Sequence, residues 1–272
     1  MMFKLGIITD EISQDFEHAL DVIVELGMTH IELRKLWGKS IVKLSEEELR
    51  YTKKLIEERG LEIALISPTL LKANLFNERE YNSHLEMFRR AITIAKFFDI
   101  NLVRIFSFWR IKESEKYWSL MINKLLPLID EAKSEGIVLA LENEYSCIVG
   151  TGSEARRVIE EVRSPNLRIL WDPGNAYVKG EVPYPNGYNM IKDYIIHVHI
   201  KDGIRLEGGK VKWVAVGRGE IDYKGQFEAL IKDKYNRVLS LETHYSISGD
   251  KERASRESFS SLKEILHELG VV

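Results

Sequence analysis

Short β-type runs alternate with helical stretches from one end of the chain to the other, and this alternation constrains the fold more than any other feature. The runs fall at 4–9, 29–34, 62–67, 101–106, 137–142, 167–171, 194–200 and 238–242. Between and after them, helices are predicted over about 16–26, 45–59, 79–98, 113–135, 153–162, 188–193 and 252–269. Ser13, Ser45 and Ser153 stand where a side-chain oxygen caps a helix N-terminus. Gly27, Gly60, Gly136 and Gly270 stand where helices should end. Strand then helix, repeated, covers both faces of a parallel sheet. Eight such units in 272 residues suit a closed (β/α)8 TIM barrel, which needs about 250, better than an open doubly wound sheet. No linker or low-complexity stretch interrupts the α/β pattern, so 1–272 is read as a single barrel domain.

Composition narrows the partners. Hydrophobic residues make up 44% and charged residues 30%, enough for a large core under a solvated surface. The net charge is -3 and no long basic run occurs, so no nucleic-acid partner is expected. The single cysteine, Cys147, rules out an internal disulfide and suits a reducing, cytoplasmic location. The first apolar run is too short for a secretion signal. No stretch reaches the roughly 20 apolar residues of a membrane span, so no membrane partner is expected either.

A barrel of this kind places its chemistry at the C-terminal ends of the strands. Strand five ends in Glu142-Asn143-Glu144, strand six runs into Asp172-Pro173-Gly174-Asn175, strand seven carries His197-Val198-His199-Ile200-Lys201-Asp202, and strand eight ends in Glu242-Thr243-His244. Four consecutive strands therefore bring Glu142, Asp172, His199 and Glu242 to one rim. Taken singly, each has an ordinary role: a Glu caps a helix, an Asp before Pro-Gly starts a turn, a strand His packs in a core. Together, three carboxylates in a partly dry site repel one another unless something neutralises them. A divalent cation does so, and three oxygens with one imidazole suit Mn²⁺, Mg²⁺ or Co²⁺, with Zn²⁺ as a further candidate.

One other motif invites a different reading. Residues 150–155 fit G-x-G-x-x-A, a dinucleotide fingerprint. Six residues, Glu144 to Val149, separate the glycines from their strand where a tight turn is needed. The glycines are expected to shape the loop and the helix start.

Leu-Glu-Asn at 141–143, Asp-Pro-Gly-Asn at 172–175, His-Val-His-Ile-Lys-Asp at 197–202, Gly-Arg-Gly-Glu-Ile-Asp at 217–222 and Leu-Glu-Thr-His at 241–244 resemble the sugar phosphate isomerase/epimerase family. That family lies in the xylose-isomerase-like barrel superfamily, with keto-sugar 3-epimerases, hydroxypyruvate isomerases, inosose and dehydroshikimate dehydratases and endonuclease IV. The resemblance implies that Glu142, Asp172, His199 and Glu242 are metal ligands, with Mn²⁺ favoured, and that Glu142 and Glu242 double as the catalytic acid/base pair. It implies an isomerase or epimerase of a small sugar, keto-sugar or sugar phosphate, acting through an enediolate. The alternative is a metal-dependent dehydratase of a cyclic polyol ketone such as inosose or dehydroshikimate. An endonuclease IV-like role is disfavoured, because it needs His ligands on earlier strands, and between His30 and His197 only His84 occurs, in a helix. The keto-sugar epimerases commonly carry a His where this chain has Asn175. Asn175, His197, Lys201, Arg218, Glu144 and Glu32 are the expected contacts to a small carbohydrate, with Trp109 a wall of the pocket. Exposed barrel helices in this superfamily often pair, so a homo-oligomer fits the resemblance.

Overall fold

The eight β-type runs become eight strands in the computed structural model, which describes residues 3–271. They are β1 (Lys4–Ile8), β2 (His30–Leu33), β3 (Glu62–Ile66), β4 (Leu102–Ile105), β5 (Val138–Glu142), β6 (Leu167–Trp171), β7 (Ile195–Ile200) and β8 (Val238–Leu241). Each pairs in parallel with the next, and β8 pairs back onto β1, closing the barrel. Closure leaves no edge strand in the barrel sheet. Around it lie α1 (Phe16–Leu26), α2 (Glu46–Glu58), α3 (Glu78–Phe97), α4 (Trp118–Ser134), α5 (Gly152–Val162), α6 (Pro173–Val178), α7 (Tyr188–Ile191), α8 (Tyr223–Lys232) and α9 (Lys251–Glu268). Among the described residues, no helix is long and apolar enough to cross a membrane.

Three local expectations need correction. Asp15 caps α1 by accepting from the His18 N–H, while Ser13 only braces Asp15. Thr151, two residues before Ser153, caps α5. Ser45 caps α2 as expected, in a reciprocal capping box with Glu48. Helix α6 was not anticipated, and neither was α8. Its buried residues Tyr223, Gln226, Phe227 and Leu230 keep helical spacing, but Gly225 in the first turn weakens the propensity signal. Gly27, Gly60, Gly136 and Gly270 all take positive φ at helix ends.

Two apolar clusters hold the barrel. The large one fills the jacket between strands and helices. The small one, Leu65, Leu102, Ala140 and Leu170, plugs the lumen. Each large side chain buried this way contributes about 1.5–3 kcal/mol. Above the plug, toward the C-terminal ends of the strands, the lumen turns polar. Alternation along a strand explains this: Ala140 on β5 faces the plug, and Glu142, two residues on, faces the mouth.

Candidate active site

Glu142 ends β5, Asp172 follows β6, His199 lies in β7 and Glu242 follows β8. One ligand atom from each lies within 4.8 Å of all the others, and all four side chains are buried. The local sequence fixes each. Asp172 is the N-cap of α6, with Oδ1 accepting from the Asn175 N–H at 2.8 Å. Pro173 behind it, at the start of the helix, lacks the N–H that would otherwise need a partner. Its Oδ2 is thereby turned to the cluster. Asn143 accepts from the Asp172 N–H and donates to the Asp172 carbonyl, locking β5 to β6 at this level.

His199 stands at the centre. Its Nδ1 lies 3.7 Å from Glu142 Oε1, 3.9 Å from Asp172 Oδ2 and 3.6 Å from Glu242 Oε2, yet makes no hydrogen bond. Asp172 Oδ2 is likewise without a hydrogen bond, although Lys201 Nζ lies 2.7 Å away outside bonding geometry. Buried polar atoms are rarely left so. Two ligands of one ion, each about 2.1 Å from it, lie about 3.0 Å apart in octahedral and about 3.4 Å apart in tetrahedral geometry. The gaps around Nδ1 are about 0.2–0.5 Å wider than the tetrahedral value and about 0.6–0.9 Å wider than the octahedral one, so side-chain shifts of under an ångström let this donor set close on a divalent ion. The residues fit a metal, and their hard oxygens with one imidazole fit the Mn²⁺, Mg²⁺, Co²⁺ or Zn²⁺ group.

The opposite edge of the His199 ring donates from Nε2 to Glu32, at 3.0 Å and 3.2 Å from its two oxygens. Glu32 also takes His197 Nε2 at 2.6 Å and the Ser67 hydroxyl at 2.6 Å. Glu32 and His197, expected at the substrate, thus lie fully buried, with both Glu32 oxygens and His197 Nε2 engaged. They hold His199 so that Nδ1 faces the carboxylates.

Charge balance is tight. Burial would raise Glu142, but Arg104 and then His199 hold it down to about 2. The Arg104 guanidinium is itself buried, donating to Glu142 at 3.0 Å and to the Ser67 carbonyl at 2.7 Å. Against its burial, Lys201 and His244 hold Glu242 well below the carboxylate range. Asp172 goes the other way: burial, with repulsion from Glu242 and Glu142 added against the pull of Lys201, pushes it up to about 6. His199 is raised despite its burial, because Glu32 and Glu142 favour the imidazolium. Lys201 reaches Glu242 at 2.7 Å. Its stem passes over Gly174, where a Cβ would come within 2.6 Å of Lys201 Cγ.

The sequence matches the family described as xylose isomerase-like TIM barrel over residues 20–265. The chain belongs to the xylose isomerase-like TIM barrel family. It is 30% identical to an inosose dehydratase of Geobacillus thermodenitrificans (strain NG80-2), in a match covering 43% of this chain and 44% of that protein. The chain thus spans less than half the length of that curated relative. A solved D-tagatose 3-epimerase-like protein superposes with a TM-score of 0.79 at 21% identity, over 98% of each chain. A probable 3-DHS dehydratase involved in petrobactin synthesis, from Bacillus anthracis, superposes with a TM-score of 0.78 at 18% identity, over 96% of this chain and 99% of that one. At these identities the two structures speak for the fold.

The remaining expected residues of this xylose isomerase-like barrel separate into groups. Asn175 is buried against the centre, its Nδ2 donating to Glu142 at 3.2 Å and its Oδ1 without a partner. Glu144 pairs with Lys72 at 2.6 Å and accepts from the Ser146 N–H. Trp109, partly exposed, lies beside the same lysine at 5.7 Å. Arg218 is exposed, with no side-chain hydrogen bond among the described residues. Its loop hangs on Asp202, which accepts from the N–H groups of Gly203, Gly217, Gly219 and Ile221. The G-x-G-x-x-A run has a structural explanation. Glu181 already accepts from the Gly152 and Ser153 N–H groups at the α5 N-terminus. A Cβ on Gly152 would come within 2.6 Å of the Gly187 carbonyl.

Sequence reasoning did not single out Arg34, Arg104 or His244. Arg34 binds Asp10, Glu11 and Glu242 together. His244 lies 3.1 Å from Glu242 Oε1. A cavity of about 490 Å³ opens beside them, lined by Glu11, Arg34, His244, Tyr245 and Lys251. Signals existed: Arg104 is a charge inside an apolar strand, and His244 follows Glu242 by two.

Proposed function

We propose that the protein is a divalent-metal-dependent isomerase or epimerase of a small sugar, keto-sugar or sugar phosphate. Glu142, Asp172, His199 and Glu242 would hold the ion, Mn²⁺ first and Mg²⁺, Co²⁺ or Zn²⁺ as alternatives. When bound, it supplies Lewis acidity that makes the C–H between a carbonyl and a neighbouring hydroxyl easier to ionise. The observation that carries the reading is the convergence of three carboxylates on His199 Nδ1, which has no hydrogen bond.

The chain's own groups supply the proton transfers. Glu142 and Glu242 lie 3.7 Å and 3.6 Å from His199 Nδ1, on two different strands. Both are held as carboxylates at neutral pH, the state a base requires. One removes the proton beside the carbonyl, giving an enediolate. For epimerisation the other carboxylate, after taking up a proton from a substrate hydroxyl or solvent, delivers it to the opposite face; for isomerisation the first delivers its proton to the neighbouring carbon while the hydroxyl proton passes to the former carbonyl oxygen. Lys201, with its proton fixed at Nζ beside Glu242, offsets the negative charge that develops. Asn175 Oδ1 is free to accept a substrate hydroxyl. The location in keeping with this role and with the lone, buried Cys147 is the cytoplasm.

The likeness to an inosose dehydratase favours a second reading, loss of water from a cyclic polyol ketone, which begins with the same proton removal. One experiment tests both. The protein is stripped with chelator, reloaded with Mn²⁺ and incubated in D₂O with ketoses, ketose phosphates, hydroxypyruvate and inosose. Deuterium is expected at the carbon beside the carbonyl, only with metal, and not in Glu242→Gln. Product structure separates isomer, epimer and dehydrated ketone. Absence of deuterium across the panel in metal-loaded protein overturns both readings.

A further inference from the structure

Trp213 stands on a hairpin inserted between β7 and α8, formed by Asp202–Arg205 and Val211–Val214. It belongs to neither apolar cluster. Its ring lies instead 5.4 Å from Lys201 Nζ and packs edge-on to the His244 ring at 5.7 Å. Both of those groups touch Glu242. The Lys201 ammonium over the ring makes a cation–π contact, which holds the half-buried indole beside Glu242 and its partners.

The mount is rigid. Gly203 pairs across the hairpin from Trp213, and a Cβ there would meet the indole Cε3 at 3.2 Å and Val211 Cγ1 at 2.5 Å. The missing side chain is what lets the ring lie flat across the hairpin. The Asp202 carboxylate ties the base of the hairpin to the 217–221 loop. Arg205 packs on the Tyr177 ring and donates to the Tyr177 carbonyl, while Glu220 accepts from the Tyr177 hydroxyl and the Arg205 N–H. Helix α6, which Asp172 caps, is thus clamped to the hairpin carrying Trp213. Among the described residues, the indole N–H donates to no protein group.

We propose that Trp213 is the platform on which the C–H face of an uncharged, ring-shaped polyol ketone stacks, its N–H meeting a ring hydroxyl. This rests on the proposed function and narrows its substrate class. One face of such a ring is rich in C–H groups, which complement the negative face of an indole. Lys201, His244 and Glu242 beside it are polar and suit the hydroxyls. Arg34 and His244 are already matched by Asp10, Glu11 and Glu242, so a neutral ring asks no further charge of them.

The test uses Mn²⁺-loaded protein titrated calorimetrically with myo-inositol, a neutral ring without the reactive carbonyl, and with xylitol, its open-chain counterpart. Wild type and Trp213→Phe are expected to bind myo-inositol within about threefold of each other, and Trp213→Ala about tenfold more weakly. Mn²⁺ affinity should match in all three. Equal myo-inositol binding by Trp213→Ala and wild type, or xylitol binding as tightly as myo-inositol, overturns the proposal, as does failure of wild type to bind either. Deuterium exchange is read separately: its failure alongside Trp213-dependent binding removes the proposed chemistry and leaves the platform.

Discussion

Glu32 grips His199 by Nε2 at 3.0 Å, on the ring edge opposite the Nδ1 that faces Glu142, Asp172 and Glu242. In the neutral ring this contact favours the proton on Nε2, which would leave Nδ1 available to a metal. Such a carboxylate behind a ligating imidazole typically changes metal affinity 10–100-fold. Glu32→Gln is therefore expected to weaken Mn²⁺ binding by about that factor, read by calorimetry, while circular dichroism shows the barrel intact. Unchanged affinity would mean that His199 does not ligate through Nδ1.

The same cluster makes metal binding depend on pH. In the metal-free protein Asp172 titrates at about 6 and His199 above its usual range. Both folded values exceed the unfolded ones, so each group stabilises the metal-free fold at low pH, and that contribution is lost as pH rises through the folded pKa. A metal needs both groups deprotonated. The rise in Tm caused by Mn²⁺, measured against chelator at the same pH, should therefore grow between about pH 5 and pH 8. Taking the difference cancels His30 and His84, whose lowered values act in both forms. A flat difference would remove Asp172 and His199 from the ligand set.

Arg104 is buried with Glu142, and removing one partner strands the other. Arg104→Leu should cost about 3–5 kcal/mol of stability in the metal-free protein, measured by urea unfolding. Glu142 should then titrate above its present value of about 2. Adding Glu142→Gln to Arg104→Leu should recover part of the loss. Strictly additive losses would show that the pair is not coupled.

Cys147 offers a simple check on the interior. Burial pushes its thiol up to about 12, so only about one molecule in 10⁴ carries the thiolate at pH 8. A disulfide-exchange reagent is expected to label it negligibly in native protein and once per chain after unfolding. Rapid labelling of the native protein would mean that the loops over β4 and β5 open readily.

The barrel and its four central residues were legible because both rest on local signals. Strand periodicity marked the barrel. Glu142, Asp172, His199 and Glu242 each end or follow an apolar run, so strand position alone brought them together. Glu32 and His197 were found but misjudged in depth, since alternation tells which way a side chain points and not how far down the lumen it sits. Arg34 and Arg104 could have been noticed as charges at the end of or within apolar strands, but their partners lie tens of residues away on other strands. Helix α8 was hidden by Gly225, and the Trp213 hairpin by its shortness.

The division of labour around the lumen has a consequence for dissection of the chain. The four central residues arrive on the half of the barrel formed by β5–β8, whereas Glu32, Arg34 and Arg104 come from the half formed by β1–β4. A fragment containing only the second half would carry every acid of the centre without two of its guanidinium counterweights. Each half is electrically incomplete, so this centre is a property of ring closure and cannot be inherited by either half alone.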